Sequence, residues 1–290
     1  MQDIRENWDT ILDGLRGQNR LRVWSVIITV FGDSIVPRGG SIPLQSLQEI
    51  MGRLGIESGA VRTALSRLAS EGWVIRERQG RLSHYSLDRS GRRAFDEATQ
   101  RIYAPGPPKW DGRWTVVVPM VGDDAAGSDL RTAGFASRYG TWIRPESVGA
   151  RPLPDNLGNY LVIKGQPGSA PGDAYKFWNL DGVAEAVGIF IDTLKPLAAA
   201  LDAGQQPGPL DAMALRTLVI HEWRRIVLRA PALPVELLPP SWPALEGRVR
   251  LGAVYGKLAD ASERWLDGIG LPPQSDPQTF AARFGGSAEA

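Results

Sequence analysis

Two clusters of proline and glycine divide this 290-residue chain and limit how far any helix or strand can run. They lie at 104–108 and 204–209. Because proline fixes φ and lacks a backbone N–H group, such clusters favour linkers over regular structure. A chain of this length suits two or three domains. We therefore predict an α+β multidomain fold with segments 1–104, 109–175 and 176–275.

Composition argues against several classes of protein. The chain has no cysteine, so neither disulfides nor thiolate chemistry is expected. It lacks an apolar run of about 18 residues, and its first residues lack an apolar signal core, so we expect a cytoplasmic protein without a membrane span. His84 and His221 lie far apart, and no phosphate-binding or dinucleotide-binding glycine motif is present. We expect no metal, no cofactor and no enzyme activity.

The first segment shows the order of elements typical of a winged helix-turn-helix. Apolar residues at helical spacing, a capping-box pattern, a second helical run and two short strands predict the following elements in sequence: a helix near 21–31, a helix from Ser46 to Leu54, a helix over 57–70, and strands at 73–79 and 82–87.

The helix over 57–70 has one face suited to DNA. On a helical wheel its apolar side chains fall within about ±60° of Val61 and form a buried stripe. The opposite face carries small polar residues and arginine, with no acidic residue between Glu57 and Glu71. A generic solvated face usually mixes glutamate with lysine, whereas small residues allow close approach to the groove and arginine can contact guanine with two hydrogen bonds. We predict base contacts from Arg62, Thr63, Ser66 and Arg67.

The strands after this helix predict a basic wing. The residues expected to hold phosphate are Arg78, Gln79, Arg81, His84 and Tyr85. The same arginines would also protect an exposed hairpin edge from aggregation. Residues 1–105 hold 15 arginines against 12 acidic residues, which agrees with DNA binding but equally with an arginine-rich codon usage.

Several motifs, in order, resemble the PaaX family of repressors of phenylacetate catabolism. They are Trp24–Asp33, Arg38-Gly39-Gly40, Val61–Leu68, Glu71-Gly72-Trp73, Arg101-Ile102-Tyr103, Trp110–Trp114, His221–Arg225, Leu233–Pro239 and Trp242-Pro243. The resemblance spans residues 20–265.

The resemblance implies a winged helix-turn-helix DNA-binding domain at 1–104, a ferredoxin-like dimerisation domain at 109–175 and an α-helical effector and dimer domain at 176–275. It also implies a homodimer on an inverted-repeat operator, since helix-turn-helix dimers need symmetric half-sites. Release by an aryl-CoA thioester such as phenylacetyl-CoA is a further implication.

The middle segment agrees with a ferredoxin-like βαββαβ unit. Its pattern predicts strands at 114–119, 142–144 and 160–164, with a helix from Asp129 to Tyr139. Asp111, Asp123 and Asp124 flank the first strand and leave a metal-dependent nuclease with an accessory DNA-binding head as the alternative, although turn and capping roles also explain them. A winged helix also leaves open an activator or an RNA-binding protein.

One predicted C-terminal helix, 214–229, carries a charge inside its apolar stripe. Glu222 lies among the apolar positions of the wheel, so it needs a partner or will protonate. Arg225 and Arg229 are the nearest candidates. Either a buried ion pair joins two domains here, or His221, Glu222 and Arg225 form a ligand-binding cluster.

Overall fold

The computed structural model describes residues 2–17, 21–120, 126–147, 150–169 and 172–286. Its ten helices, within this part of the chain, are α1 (Gln2–Arg16), α2 (Val23–Val30), α3 (Leu44–Arg53), α4 (Ser58–Ser70), α5 (Arg89–Ile102), α6 (Gly127–Thr132), α7 (Asp181–Asp202), α8 (Pro209–Val227), α9 (Pro243–Gly268) and α10 (Pro277–Ala281). The strands are β1 (Ser41–Pro43), β2 (Val74–Gln79), β3 (Leu82–Leu87), β4 (Trp110–Pro119), β5 (Ala136–Arg138), β6 (Thr141–Ser147) and β7 (Tyr160–Gly165).

The chain forms two compact units, and both are discontinuous in sequence. The first unit contains residues 1–105, 187–228 and 246–290, and the second contains 106–186 and 229–245. The boundary at 105–106 falls in the predicted linker. The helices after residue 187 pack in the same unit as the N-terminal segment. The compact units therefore differ from the three consecutive segments that the sequence suggested. The division into three functional domains stays a prediction.

The first unit is built around helix α8. Every residue of α8 from Ala212 to His221 is buried, and the helix packs against α1, α2, α3 and α5. A helix that is buried on all sides has no solvent face, so its position is set by the helices around it. The small antiparallel sheet of this unit has the order β1-β3-β2.

The chain stays helical beyond the last residue of α2. It continues as a π-helical segment, Phe31–Ile35, and a 3-10 turn, Val36–Arg38, before Gly39 and Gly40 reverse the chain at φ +83° and +80°. The β-branched content of α2 would also suit a strand, but its buried side chains favour the helix because they pack on neighbouring helices. Short π segments are frequent at functional positions.

The capping-box pattern makes Ser46 the N-cap of α3, and this position was wrong by three residues. The helix begins at Leu44 after Pro43, which is extended at φ −61° and ψ 142°, and Ser46 lies buried inside the first turn instead of capping it. Proline has no N–H to leave unsatisfied and its φ already suits a helix start, so the turn forms before the serine.

The second unit contains a four-stranded antiparallel sheet of order β5-β6-β4-β7. Apolar side chains pack on both faces: Val117 and Trp142 lie in one cluster with Leu130 of α6, and Trp114 lies in the other with Trp178. The predicted helix 129–139 ends early, because Gly134 takes φ +92° and the chain turns into β5. The described residues between β6 and β7, 150–159, contain no helix.

The chain's described helices include none that is both long and apolar enough to cross a membrane.

Candidate nucleic-acid interface

Helix α4 presents a polar face to solvent, as the wheel predicted. Val61, Leu65 and Leu68 are 0%, 0% and 2% exposed and anchor the helix in the first unit. The side chains on the other side are all exposed: Arg62, Thr63, Ser66, Arg67 and Ser70. Predicted base-reading residues therefore lie together on one accessible surface, which we call the α4 face.

Hydrogen bonds within the helix order this face. Thr63 Oγ1 donates to the Gly59 carbonyl at 3.1 Å, and Ser70 Oγ donates to the Arg67 carbonyl at 2.8 Å. Each hydroxyl keeps lone pairs for an outside donor. No atom lies within 4 Å of the position that a Cβ on Gly59 would take, so the start of the helix is open to close approach.

Arg67 forms an ion pair with the acid that ends the helix. Its Nε lies 2.7 Å from Glu71 Oε1, and the two side chains remain 67% and 43% exposed. An exposed pair of this spacing contributes only about 0.3–0.5 kcal/mol to stability. The guanidinium therefore remains free to exchange partners when a stronger acceptor arrives.

Strands β2 and β3 form a hairpin beside α4, with Gln79 opposite Leu82 and Gly80 at φ +62° in the turn. Side chains alternate between the two faces of a strand, so the predicted wing residues separate. Arg78 shares one face with Arg76, whose Nη2 donates to Ser83 Oγ at 2.8 Å.

The other face of the hairpin carries the remaining strand residues. Gln79 lies there, and His84 lies opposite Glu77. Arg81 is exposed at the turn and belongs to neither face. The predicted phosphate contacts thus come from the tip and from two sides of the wing, not from one continuous surface.

Tyr85 is placed differently from the other wing residues. It is 8% exposed and lies opposite Ile42 of β1 and Arg76 of β2, on the same face of the hairpin as Arg78 but farther from the turn. Its ring belongs to the core because the same face carries Val74, which is 3% exposed. We therefore leave Tyr85 out of the proposed contact surface.

A buried ionic cluster in the first unit was not foreseen from the sequence. Asp33, in the π segment, is 2% exposed, and its carboxylate accepts hydrogen bonds from Tyr103 at 2.6 Å, Tyr255 at 3.0 Å, Arg216 at 2.6 Å and Arg283 at 3.0 Å. These five residues are the Asp33 cluster. Burial alone would raise the pKa of Asp33, but the two guanidinium groups and the tyrosine hydroxyl hold it below its usual value.

The cluster joins the π segment to four other parts of the first unit. Arg216 comes from α8, Tyr255 from α9, Tyr103 from the end of α5 and Arg283 from beyond α10. Arg216 is fully buried and also pairs with Glu263 at 2.6 Å. Burial opposes its charge, yet Asp33 and Glu263 raise its pKa above the usual value. The sequence does contain a signal for this cluster, namely an acid and an arginine within apolar helical runs. A helical wheel that assumes one solvent-exposed face does not distinguish such buried charges from exposed ones.

The three predicted ligand-binding residues lie in different environments. His221 is 1% exposed and its Nδ1 lies 3.0 Å from Thr29 Oγ1. Burial, with help from the cations of Arg224 and Arg225, lowers the pKa of His221 to about 3, so the ring is neutral at physiological pH. Glu222 pairs with Arg225 at 2.9 Å, but with 29% and 37% exposure this pair is not buried.

Of the three acids of the nuclease alternative, the structure describes Asp111. Asp111 is exposed and pairs with Arg113 at 2.7 Å, and its pKa lies below the usual value chiefly because the Arg113 backbone donates to it. Asp123 and Asp124 lie outside the described residues. Among the residues that the structure describes, no three His, Asp or Glu side chains are grouped to hold a metal ion.

Comparison with known proteins identifies the class of protein to which the chain is similar. The family model for PaaX-like proteins matches residues 22–91, from α2 through the hairpin, and the model for the PaaX-like protein C-terminal domain matches residues 178–268. The protein is thus of the PaaX-like class. The Transcriptional repressor PaaX of Escherichia coli (strain K12) is 32% identical over 284 residues, which cover 90% of each chain.

The chain belongs to the PaaX family, which confirms the resemblance found in its motifs. A solved structure, the uncharacterized protein Rv0674 from Mycobacterium tuberculosis, aligns with a TM-score of 0.51 at 23% identity, covering 77% of this chain and 90% of that one. This likeness concerns the fold alone, a mixed α+β architecture.

Proposed function

We propose that this protein is a DNA-binding transcriptional repressor of phenylacetate catabolism. The observation that carries the proposal is the α4 face, where two arginines and three hydroxyl side chains are exposed with no acid between Glu57 and Glu71. Its relative in Escherichia coli is a transcriptional repressor, which supports the same role and an action in the cytoplasm, where the DNA of that organism lies.

The arrangement around α4 supports a winged helix-turn-helix. Helix α3 ends at Arg53, α4 begins at Ser58, and the β2–β3 hairpin follows directly. In this motif the second helix enters the major groove while its N-terminal residues contact base edges. Arg62 and Thr63 lie in the N-terminal half of α4, and Ser66 and Arg67 lie one turn later.

The side chains of the α4 face have the chemistry for sequence readout. Arg62 and Arg67 can each donate two parallel hydrogen bonds to guanine O6 and N7, and Thr63 and Ser66 can donate to or accept from a base edge. Arg78, Gln79, Arg81 and His84 on the wing would contact phosphate, which fixes the register of the protein on the duplex without specifying sequence.

The second unit supports a ferredoxin-like domain in which the described residues between its third and fourth strands, 150–159, form no helix. Numbered within the unit, its strand order is 2-3-1-4 and all neighbours are antiparallel, as in that fold. We propose that this unit and the C-terminal helices provide the contacts of a homodimer, since two symmetric DNA heads fit an inverted-repeat operator.

An aryl-CoA thioester is the proposed inducer of the repressor. Family membership supports this assignment, and the position of the site that receives the thioester is a separate question. Of the three predicted contact residues, His221 faces Thr29 of α2 inside the first unit, whereas Glu222 and Arg225 are half-exposed.

A mobility-shift assay on the protein's own promoter region tests the proposal. We expect Arg67→Ala to lower specific affinity by about 1–3 kcal/mol, with affinity for random DNA largely kept, because a base contact is lost. Arg250→Ala is a matched control, since Arg250 also pairs with a glutamate four residues away, at 2.7 Å on an exposed face of α9.

Two outcomes would overturn the proposed function. Metal-dependent cleavage of the probe would favour the nuclease alternative. Equal binding of promoter and random DNA by the unmodified protein would remove sequence-specific recognition. An equal loss for Arg67→Ala on both DNAs would assign Arg67 to phosphate instead of a base.

A further inference from the structure

The first unit contains a cavity of about 170 Å³. Helices α2, α5 and α8 line it, together with residue 73, between α4 and β2, and it is partly open to solvent. Large apolar side chains make up most of the wall: Trp24, Ile28, Phe95, Ile102, Ile220 and Leu228. No part of the proposed DNA contact surface lines it.

The size of the cavity limits its occupant to one ring. An apolar cavity of about 150 Å³ in another protein stays dry and binds benzene. The space here is similar, and the small residues Gly32, Gly91, Ala94 and Ala98 form part of the wall. A whole nucleotide would not fit.

One charged side chain gives the cavity a polar end. Arg224 lines the wall and its Nη1 donates to the Ser25 carbonyl at 3.0 Å and to Thr29 Oγ1 at 2.8 Å. Both acceptors are neutral, and burial lowers the pKa of Arg224. Asp33 also lines the cavity, but its carboxylate already accepts from two arginines and two tyrosines.

We propose that this cavity is a binding site for a compact aromatic acyl group, with its single ring among the apolar side chains and its carboxylate or carbonyl oxygen on Arg224. A guanidinium is a strong donor to such an oxygen, and the apolar wall rewards burial of the ring. The free acid and the acyl end of a thioester share this chemistry.

The same cavity contacts the joint between the proposed recognition helix and the wing. The backbone N–H of Trp73 donates to Leu68 of α4 at 2.8 Å, and its carbonyl accepts from the N–H of Asp88, just before α5, at 3.0 Å. Because the residue is held at both ends, a ligand that displaces its ring changes how α4 and the hairpin meet. Ligand binding thereby lowers affinity for DNA, a consequence that rests on the proposed function.

Calorimetric titration of the full-length protein tests the site with three probes: phenylacetate, benzyl alcohol and phenylacetyl-CoA. Benzyl alcohol has the ring without the carboxylate, so it reports the apolar part alone. We expect Ala98→Leu to weaken binding on the order of tenfold or more, because the added carbons occupy the ring position. Arg224→Gln should weaken phenylacetate more than benzyl alcohol.

Two further variants separate filling of the cavity from a general loss of fold. Ala253→Leu makes the same change on an exposed part of α9 and should bind like the unmodified protein. If Ala98→Leu fails to fold, Ala94→Leu fills the cavity from one turn earlier in α5 and takes its place.

The outcomes distinguish the site from the proposed function. The site is supported if phenylacetate or phenylacetyl-CoA binds and this binding is lost in Ala98→Leu but kept in Ala253→Leu. Phenylacetate alone or phenylacetyl-CoA alone then identifies the source of the acyl group. Absence of binding by all probes, or equal binding by both leucine variants, overturns it.

Mobility shifts on the same samples measure the coupling. A bound probe should weaken retardation by about 5-fold to 150-fold, the usual range for coupled sites. Specific retardation without any probe binding would overturn the cavity assignment and leave the repressor intact. Probe binding by a protein that retards no DNA would overturn the repressor and leave the cavity assignment intact.

Discussion

Replacing Asp33 by asparagine should strongly destabilise the first unit. The amide oxygen can still accept from Tyr103, Tyr255 and Arg283, which all contact Oδ1, but the amide nitrogen would then face Arg216 Nε, which lies 2.6 Å from Oδ2. Two donors then meet where a charged pair stood, and both Arg216 and Arg283 lose the buried negative charge that they share. Removing one partner of a buried pair costs about 3–5 kcal/mol.

Calorimetric melting of the full chain measures this effect. For a protein of this size the loss corresponds to a Tm lower by roughly 6–20 °C. Glu222→Gln is the control, since it breaks a half-exposed pair and should cost at most about 1 kcal/mol. If Asp33→Asn melts like Glu222→Gln, the Asp33 cluster does not stabilise the unit and the reasoning is refuted.

Three further outcomes follow from the geometry. Arg81→Ala should weaken binding to all DNA sequences and reduce the salt slope of log K by about 1, because a phosphate contact at the wing tip is lost; an unchanged slope removes the tip from the interface. Gly91→Ala should destabilise the protein by about 1–3 kcal/mol in urea titration, because the new Cβ would lie 2.6 Å from the Trp73 carbonyl, whereas Gly52→Ala, with nothing within 4 Å, should not. His221 has a pKa lowered to about 3, so the unfolded chain binds more protons below its ordinary value of 6.5; the free energy of unfolding should therefore fall by up to about 1.4 kcal/mol per pH unit as pH drops from about 6.5 toward 3. His221→Asn should flatten this slope between pH 6.5 and 5, where few carboxylates titrate, and an identical slope in the variant would contradict the assignment.

The sequence predicts well where an element has one face in solvent. Helix α4 satisfies that condition, so the wheel separates Val61 and Leu65 from Arg62 and Arg67 correctly. The hairpin is equally readable, because its turn glycine and alternating side chains are local signals. The fate of Tyr85 is not local, since it depends on β1 pairing with β3 over forty positions away.

Helix α8 fails the same condition and shows the limit of the method. Its wheel placed Glu222 inside and His221 at the edge, whereas the structure buries His221 and leaves Glu222 half-exposed. Neighbouring helices cover α8 on every side along Ala212–His221, so hydrophobicity alone gives no inward direction. Arg216 is tolerated at the centre because Asp33 and Glu263, from distant parts of the chain, neutralise it.

The first unit is built from segments far apart in the sequence, so its parts become available at different times during translation. Asp33 and Tyr103 leave the ribosome early, but Arg283 is translated 180 residues after Tyr103. At about 5–20 residues per second the N-terminal stretch waits roughly 9–36 s for this last partner. A chain that stops before Arg283 thus presents Asp33 with only one of its two arginine partners, and the Asp33 cluster is completed only when translation is nearly finished.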